Sequence, residues 1–165
     1  MNKTLKETVL ALYPTRYGLG YAVFDGPEDL VDYGNTYVQP MSNKKIMKKV
    51  KQYISFFKPT MVLCRNVNDL PKRCGKRTKN LIDQICSEAK SQSLDIHSYT
   101  RTDIQNVFSQ FSASSKFQIS KKIMSWYPVL KTYEFPKRNG WVTENHNTGV
   151  FDAVSLVMVH WFLEN

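Results

Sequence analysis

Lys72, Arg73, Lys76, Arg77 and Lys79 place five basic side chains in eight residues, and the chemistry of such a cluster is phosphate binding. Guanidinium groups fork onto phosphate oxygens, and a helix starting beside them adds the partial positive charge of its free N–H groups. A merely solvated basic turn is the competing reading. A second set, Tyr127, Tyr133, Phe135 and Trp141, is interleaved with Lys131, Lys137 and Arg138. Such a mixture can stack on unpaired bases, or it can cover a loop against the core. Cys64, Cys74 and Cys86 lie ten and twelve residues apart. That spacing suits neither a zinc knuckle nor a CxxC redox pair, so free thiols of an intracellular protein are expected.

The net charge of +9 is unevenly distributed. Residues 1–42 carry three basic and five acidic side chains, residues 43–92 thirteen and three, and residues 93–165 seven and six. The middle third therefore carries the positive field, which attracts polyanions by releasing their counterions. Nucleic acid is the common intracellular polyanion. At 165 residues the expectation is a single domain, 1–165, with a core that needs no staple. The N-terminal apolar run is too short for a signal peptide, and Ala153 to Leu163 is about half the length of a bilayer span. A soluble cytoplasmic protein with no membrane partner is expected.

The elements that must position the basic residues follow from periodicity. Val9 to Tyr13 reads as a strand buried on both faces, and Leu19 to Phe24 as its hairpin partner across Pro14-Thr15-Arg16-Tyr17. Asp25-Gly26-Pro27 breaks that strand, and Leu30 to Val38 completes an antiparallel meander. Ser42 is the expected N-cap of a helix from Asn43 to Phe57, with Ile46, Met47, Val50, Ile54 and Phe57 as its apolar stripe. Thr60 to Cys64 is a short buried strand, parallel to the first. A helix beginning near Thr78 has Leu81, Ile82, Ile85 and Ala89 as its stripe, and Leu94 to Tyr99 is the next strand. Thr102-Asp103 starts a helix with Ile104, Val107, Phe108 and Phe111 on its apolar face. Ser115 or a neighbour caps another through Ile119, Ile123 and Trp126. Lys131 to Thr148 reads as a long surface loop. Val150 to Phe162 is apolar nearly all round, so its period does not separate helix from strand.

This order of elements, together with several local strings, resembles the RuvC family of Holliday-junction resolvases within the RNase H-like superfamily. LALYPTRYGLGYAV (Leu10 to Val23) looks like that family's opening strand, turn and second strand. YTRTDIQNVFSQFSASSKFQISKKI (Tyr99 to Ile123) is similar to the stretch that carries a basic residue after a small-residue loop, here Lys116. VFDAVSLVMVHW (Val150 to Trp161) looks like the final helix. The resemblance implies an α/β, RNase H-like (RuvC-like) mixed sheet with an N-terminal antiparallel meander and helices on both faces. It also implies that the last element is a helix.

By the same resemblance the family's reaction is hydrolysis of DNA phosphodiesters by two divalent metals held on four carboxylates. Only Asp152 matches that set. Tyr13, Arg65 (or, with a one-residue slip, Cys64) and Gly149 stand where the other three carboxylates are expected, and one carboxylate does not hold two Mg²⁺ ions. The reading that follows is a nucleic-acid-binding pseudoenzyme without cofactor. It contacts DNA, or a nucleic-acid-processing assembly, through Lys72, Arg73, Lys76, Arg77, Lys79 and, by resemblance, Lys116. Arg65 is expected to form an ion pair with Asp152. Two alternatives stay open. One is an active divalent-metal-dependent endonuclease with a rearranged site, in which Asp152, His146 and Glu144 hold Mg²⁺ or Mn²⁺. The other is a protein-binding pseudoenzyme. Dimerisation, common in the resembled resolvases, is left undetermined.

Overall fold

The structure is a computed structural model and describes residues 7–70, 75–140 and 143–164. Its sheet has five strands, β1 (Val9–Thr15), β2 (Gly18–Phe24), β3 (Leu30–Thr36), β4 (Met61–Arg65) and β5 (Asp95–Tyr99), in the order β3-β2-β1-β4-β5. The first three form the expected antiparallel meander, while β4 and β5 add in parallel. Among the described residues five α-helices accompany the sheet: α1 (Asn43–Phe57), α2 (Lys76–Ser91), α3 (Arg101–Ser109), α4 (Lys116–Trp126) and α5 (Thr148–Glu164), with short 3-10 turns at Val67–Asp69 and Pro128–Tyr133.

Side chains alternate across a strand, so β1 feeds two cores. Leu10 and Leu12 pack with Ile46, Val50, Leu81 and Ile85 of α1 and α2. Val9, Ala11 and Tyr13 pack on the opposite face with Phe108, Ile123, Val154 and Val157 of α3, α4 and α5. The ambiguity of the last element is resolved by this arrangement. Helix α5 lies on β1 and β2 and is flanked by α3 and α4, so Thr148 through Val157 is buried without a break. An element covered on every side needs no polar face, which is why its sequence shows no helical period.

Local chemistry sets the helix ends. The Ser42 side chain accepts the Lys45 N–H at the start of α1, and Lys58, at a left-handed φ of 48°, closes it by donating to the Ile54 carbonyl. Capping boxes start α3 at Thr100 with Asp103, and α4 at Ser115 with Gln118. Helix α3 thus begins one residue before the expected Thr102, because Asp103 acts as the N3 partner of a cap rather than as the start itself. Helix α2 begins at Lys76, before Thr78, on the uncapped Gly75. Strand β5 begins at Asp95, one residue after Leu94.

Phe111, two residues past the end of α3, and Trp126, the last residue of α4, are 39% and 38% accessible and pack on each other and on Phe108 at the edge of the core. Among the described residues no helix is long and apolar enough to cross a membrane.

Candidate nucleic-acid interface

The carboxyl ends of β1 and β4 open into a crevice of about 430 Å³, and the N-termini of α2, α4 and α5 converge on it through Gly75, Lys116 and Thr148. Helix N-termini present free N–H groups, so the fold directs three positive dipole ends at one place. The parallel register that pairs Leu12 with Cys64 brings the next two residues, Tyr13 and Arg65, side by side. The Arg65 guanidinium sits 5.0 Å from the Tyr13 ring centroid, and its Nη1 donates to the Pro14 carbonyl at 3.1 Å. Its Nε is buried without a hydrogen-bond partner. Arg77, in the first turn of α2, donates through Nη2 to the Thr15 carbonyl at 3.2 Å and through Nη1 to Asn43 Oδ1 at 3.4 Å. The exposed Arg16 completes the rim.

Asp152 is 4% exposed, and its two carboxylate oxygens are taken by different cations. Arg101 Nη1 lies 3.3 Å from Oδ1, and Lys116 Nζ lies 3.3 Å from Oδ2. The expected ion pair between Arg65 and Asp152 is therefore not formed. Arg65 is tethered over Tyr13 at the strand ends, whereas Arg101, at the start of α3, reaches the carboxylate instead. Lys116 Nζ also donates to Glu144 Oε1 at 2.5 Å, so one ammonium bridges two carboxylates. Glu144 Oε1 accepts a further bond from Thr148 Oγ1 at 2.8 Å. Burial pushes the Glu144 carboxyl upward, but Lys116, the Thr148 hydroxyl and Arg101 together outweigh it and hold the group below its ordinary value. Glu144 is thereby kept as an anion paired to Lys116.

Gly149 is the second residue of α5, and here the helix crosses β2 at Gly20. A β-carbon on Gly149 would lie 2.7 Å from Asn35 Oδ1 and 3.2 Å from Gly20 Cα. His146 is exposed in the loop before α5. Its carbonyl accepts the Tyr37 hydroxyl at 2.9 Å, and its ring lies edge-on to Tyr37. Among the described residues, no group of three or more His, Cys, Asp and Glu side chains is placed to hold a metal ion.

Of the basic cluster, Arg77 lines the crevice, while Lys76 and Lys79 stand exposed on the first turn of α2 just outside it. Lys72 and Arg73 lie outside the described residues. Lys116, expected from the resemblance alone, is in the crevice. The aromatic set belongs largely to the core. Tyr127 packs edge-on against Phe24 and donates to the Pro27 carbonyl, Tyr133 packs on Tyr33, and Phe135 on Phe151. Trp141 lies outside the described residues. Sequence reasoning gave no role to Arg101 or Arg16. Arg101 lies 51 positions from its partner, and no local spacing marks such a pair.

No protein-family model matches this sequence, and no curated protein is similar to it in sequence. Solved structures do match in fold. The RuvC structure of Thermus thermophilus superposes with a TM-score of 0.67 at 14% identity, covering 95% of this chain and 95% of that one. T. thermophilus RuvC in complex with Holliday junction substrate gives 0.68 at 14% identity, covering 96% and 94%. The yeast mitochondrial Holliday junction resolvase Ydc2 gives 0.63 at 12% identity, covering 93% and 77%. The chain thus has the RuvC-like, RNase H-like fold over nearly its whole length.

Proposed function

We propose that this chain is a RuvC-like nucleic-acid-binding protein that does not cleave its target by two-metal chemistry. The observation that carries this reading is the bridging of Glu144 and Asp152 by Lys116 Nζ, at the edge where Arg65, Arg77 and Arg16 face the same crevice. A pair of Mg²⁺ ions needs several unshared carboxylate oxygens on one rim. Here the two nearby carboxylates already share an ammonium, and Asp152 carries a guanidinium as well. A divalent ion entering beside Arg65 and Arg77 would meet repulsion from fixed cations. The donor set does not fit the two-ion site, whereas it does fit an anion.

The charge distribution supports the same reading. The crevice opens beside the N-terminus of α2, and the side chains of α1 and α2 belong to the segment that holds thirteen basic and three acidic residues. Phosphates drawn to this face by counterion release would be held by forked bonds from arginine. DNA is the favoured partner because one structure of the same fold is described in complex with Holliday junction substrate. A nucleic-acid-processing assembly remains the natural setting for a protein that binds without cutting.

Labelled branched, duplex and single-stranded DNA should bind at low salt, with affinity falling steeply as salt rises, and no product should appear in Mg²⁺ or Mn²⁺. Metal-dependent cutting that is lost in Asp152→Asn would overturn the reading in favour of a rebuilt nuclease site. Absence of binding at low salt would overturn it altogether.

A further inference from the structure

We propose that the crevice between Tyr13, Arg65, Arg77 and Lys116 is a site for a single dianionic phosphate monoester, the terminal phosphate of a nucleic-acid strand. This inference rests on the nucleic-acid-binding reading and assigns the ligand of that same site. Among the described residues the cations around the crevice are Arg16, Arg65, Arg77 and Lys116, and the one carboxylate in its lining is Glu144, which is spent on Lys116. Three guanidinium groups are therefore not neutralised within the lining. An internal phosphodiester brings one negative charge, while a terminal phosphate brings close to two near neutral pH and a third anionic oxygen to accept bonds. The terminal group balances this lining better.

One feature indicates that the crevice is built rather than incidental. Arg65 and Arg77 are both tethered by bonds to backbone carbonyls at the end of β1, at Pro14 and Thr15, so their forks are positioned before any ligand arrives. Preorganised cations lose little conformational entropy on binding. The volume of about 430 Å³ accommodates a phosphate and part of its sugar. A strand end and a mononucleotide share the dianionic phosphate that this lining suits.

The test compares one oligonucleotide carrying a 5′-phosphate, a 3′-phosphate or hydroxyls at both ends, titrated into the full chain. Nucleoside monophosphate and inorganic phosphate serve as competitors. A terminal phosphate should tighten binding about tenfold, the effect expected of charge-assisted bonds gained at a tethered site. Arg65→Gln should bring the ratio of phosphorylated to hydroxyl-ended affinity to one, while Arg65→Lys keeps part of it. Because Arg65 also packs on Tyr13, Arg16→Gln is the second variant. Arg16 is exposed, so its loss should lower the ratio without disturbing the fold. Competition by nucleoside monophosphate alone, with no preference among oligonucleotide ends, would reassign the site to a free nucleotide and overturn the strand-end proposal. Binding with equal affinity for all ends would overturn the phosphate site while leaving nucleic-acid binding intact. No binding at low salt would remove both.

Discussion

A β-carbon on Gly20 would lie 2.0 Å from the Gly149 carbonyl oxygen, so β2 and α5 meet backbone to backbone at these two glycines. Gly149 stands at one of the positions where the RuvC resemblance calls for a carboxylate. The close approach couples that position to packing: the helix that carries Asp152 is seated on the strand by the absence of side chains. Gly20→Ala should therefore cost at least about 3 kcal/mol, because backbone must move to admit the methyl group. Gly149→Ala should cost less, about 1 to 2 kcal/mol, since its nearest neighbour is the Asn35 side chain. Gly149→Asp should be worse than alanine. Urea denaturation of the three variants checks the order, and an aspartate tolerated without loss would show that the glycine is dispensable there.

Asp152 is expected to be a structural anion. Its removal leaves the Arg101 guanidinium and the Lys116 ammonium facing a buried gap. A fully buried pair loses about 3 to 5 kcal/mol when broken, and partial exposure of both cations reduces this to about 2 kcal/mol for Asp152→Ala. Lys116→Met should be milder, because Arg101 still pairs with Asp152. Equilibrium unfolding decides: an alanine variant as stable as the parent would mean that the carboxylate is held for chemistry rather than for the fold.

Lys76 and Lys79 are exposed on the first turn of α2, and each is expected to meet a DNA phosphate. Changing either to glutamine should weaken binding across sequences and lower the slope of log affinity against log salt by roughly one. The unfolding midpoint should not move, since neither side chain is packed. An unchanged slope for both variants would place the DNA on another face.

The pair between Glu144 and Lys116 should leave a signature in pH. The folded-state pKa of Glu144 is held below its ordinary value by Lys116, Thr148 and Arg101 despite burial. A carboxyl depressed in this way contributes stability above its unfolded pKa, and the contribution is lost as pH falls through the folded value. The melting temperature of the parent should thus drop more steeply on acidification than that of Glu144→Gln, and the two curves should converge at the acid end. Parallel curves would mean that the pair adds nothing to stability.

Cys64 is fully buried on β4, and burial pushes its thiol pKa upward. A thiol reagent should leave it unmodified in the native protein and label it only after unfolding, as read by mass spectrometry of the digested chain. Labelling at native rates would indicate that β4 opens locally.

Much of the fold was legible because local signals and global packing agree. The continuous apolar run of β1, the Ser42 cap and the Ser115 cap each depend on a few neighbouring residues, so the sequence alone determined the meander, most helices and the concentration of charge in the middle third. Helix α5 was settled in sequence only through resemblance, since an element enclosed by sheet and helices has no polar face to reveal its period. The site was legible as a set of substitutions but not as an arrangement. That Asp152 is met by Arg101 and Lys116, and that Arg65 turns instead onto Tyr13 and the Pro14 carbonyl, depends on contacts between residues tens of positions apart. The sequence determined which charges this edge carries. Only the tertiary structure decided which of them neutralise one another and which remain for a ligand, because ion pairing depends on distances that only packing sets.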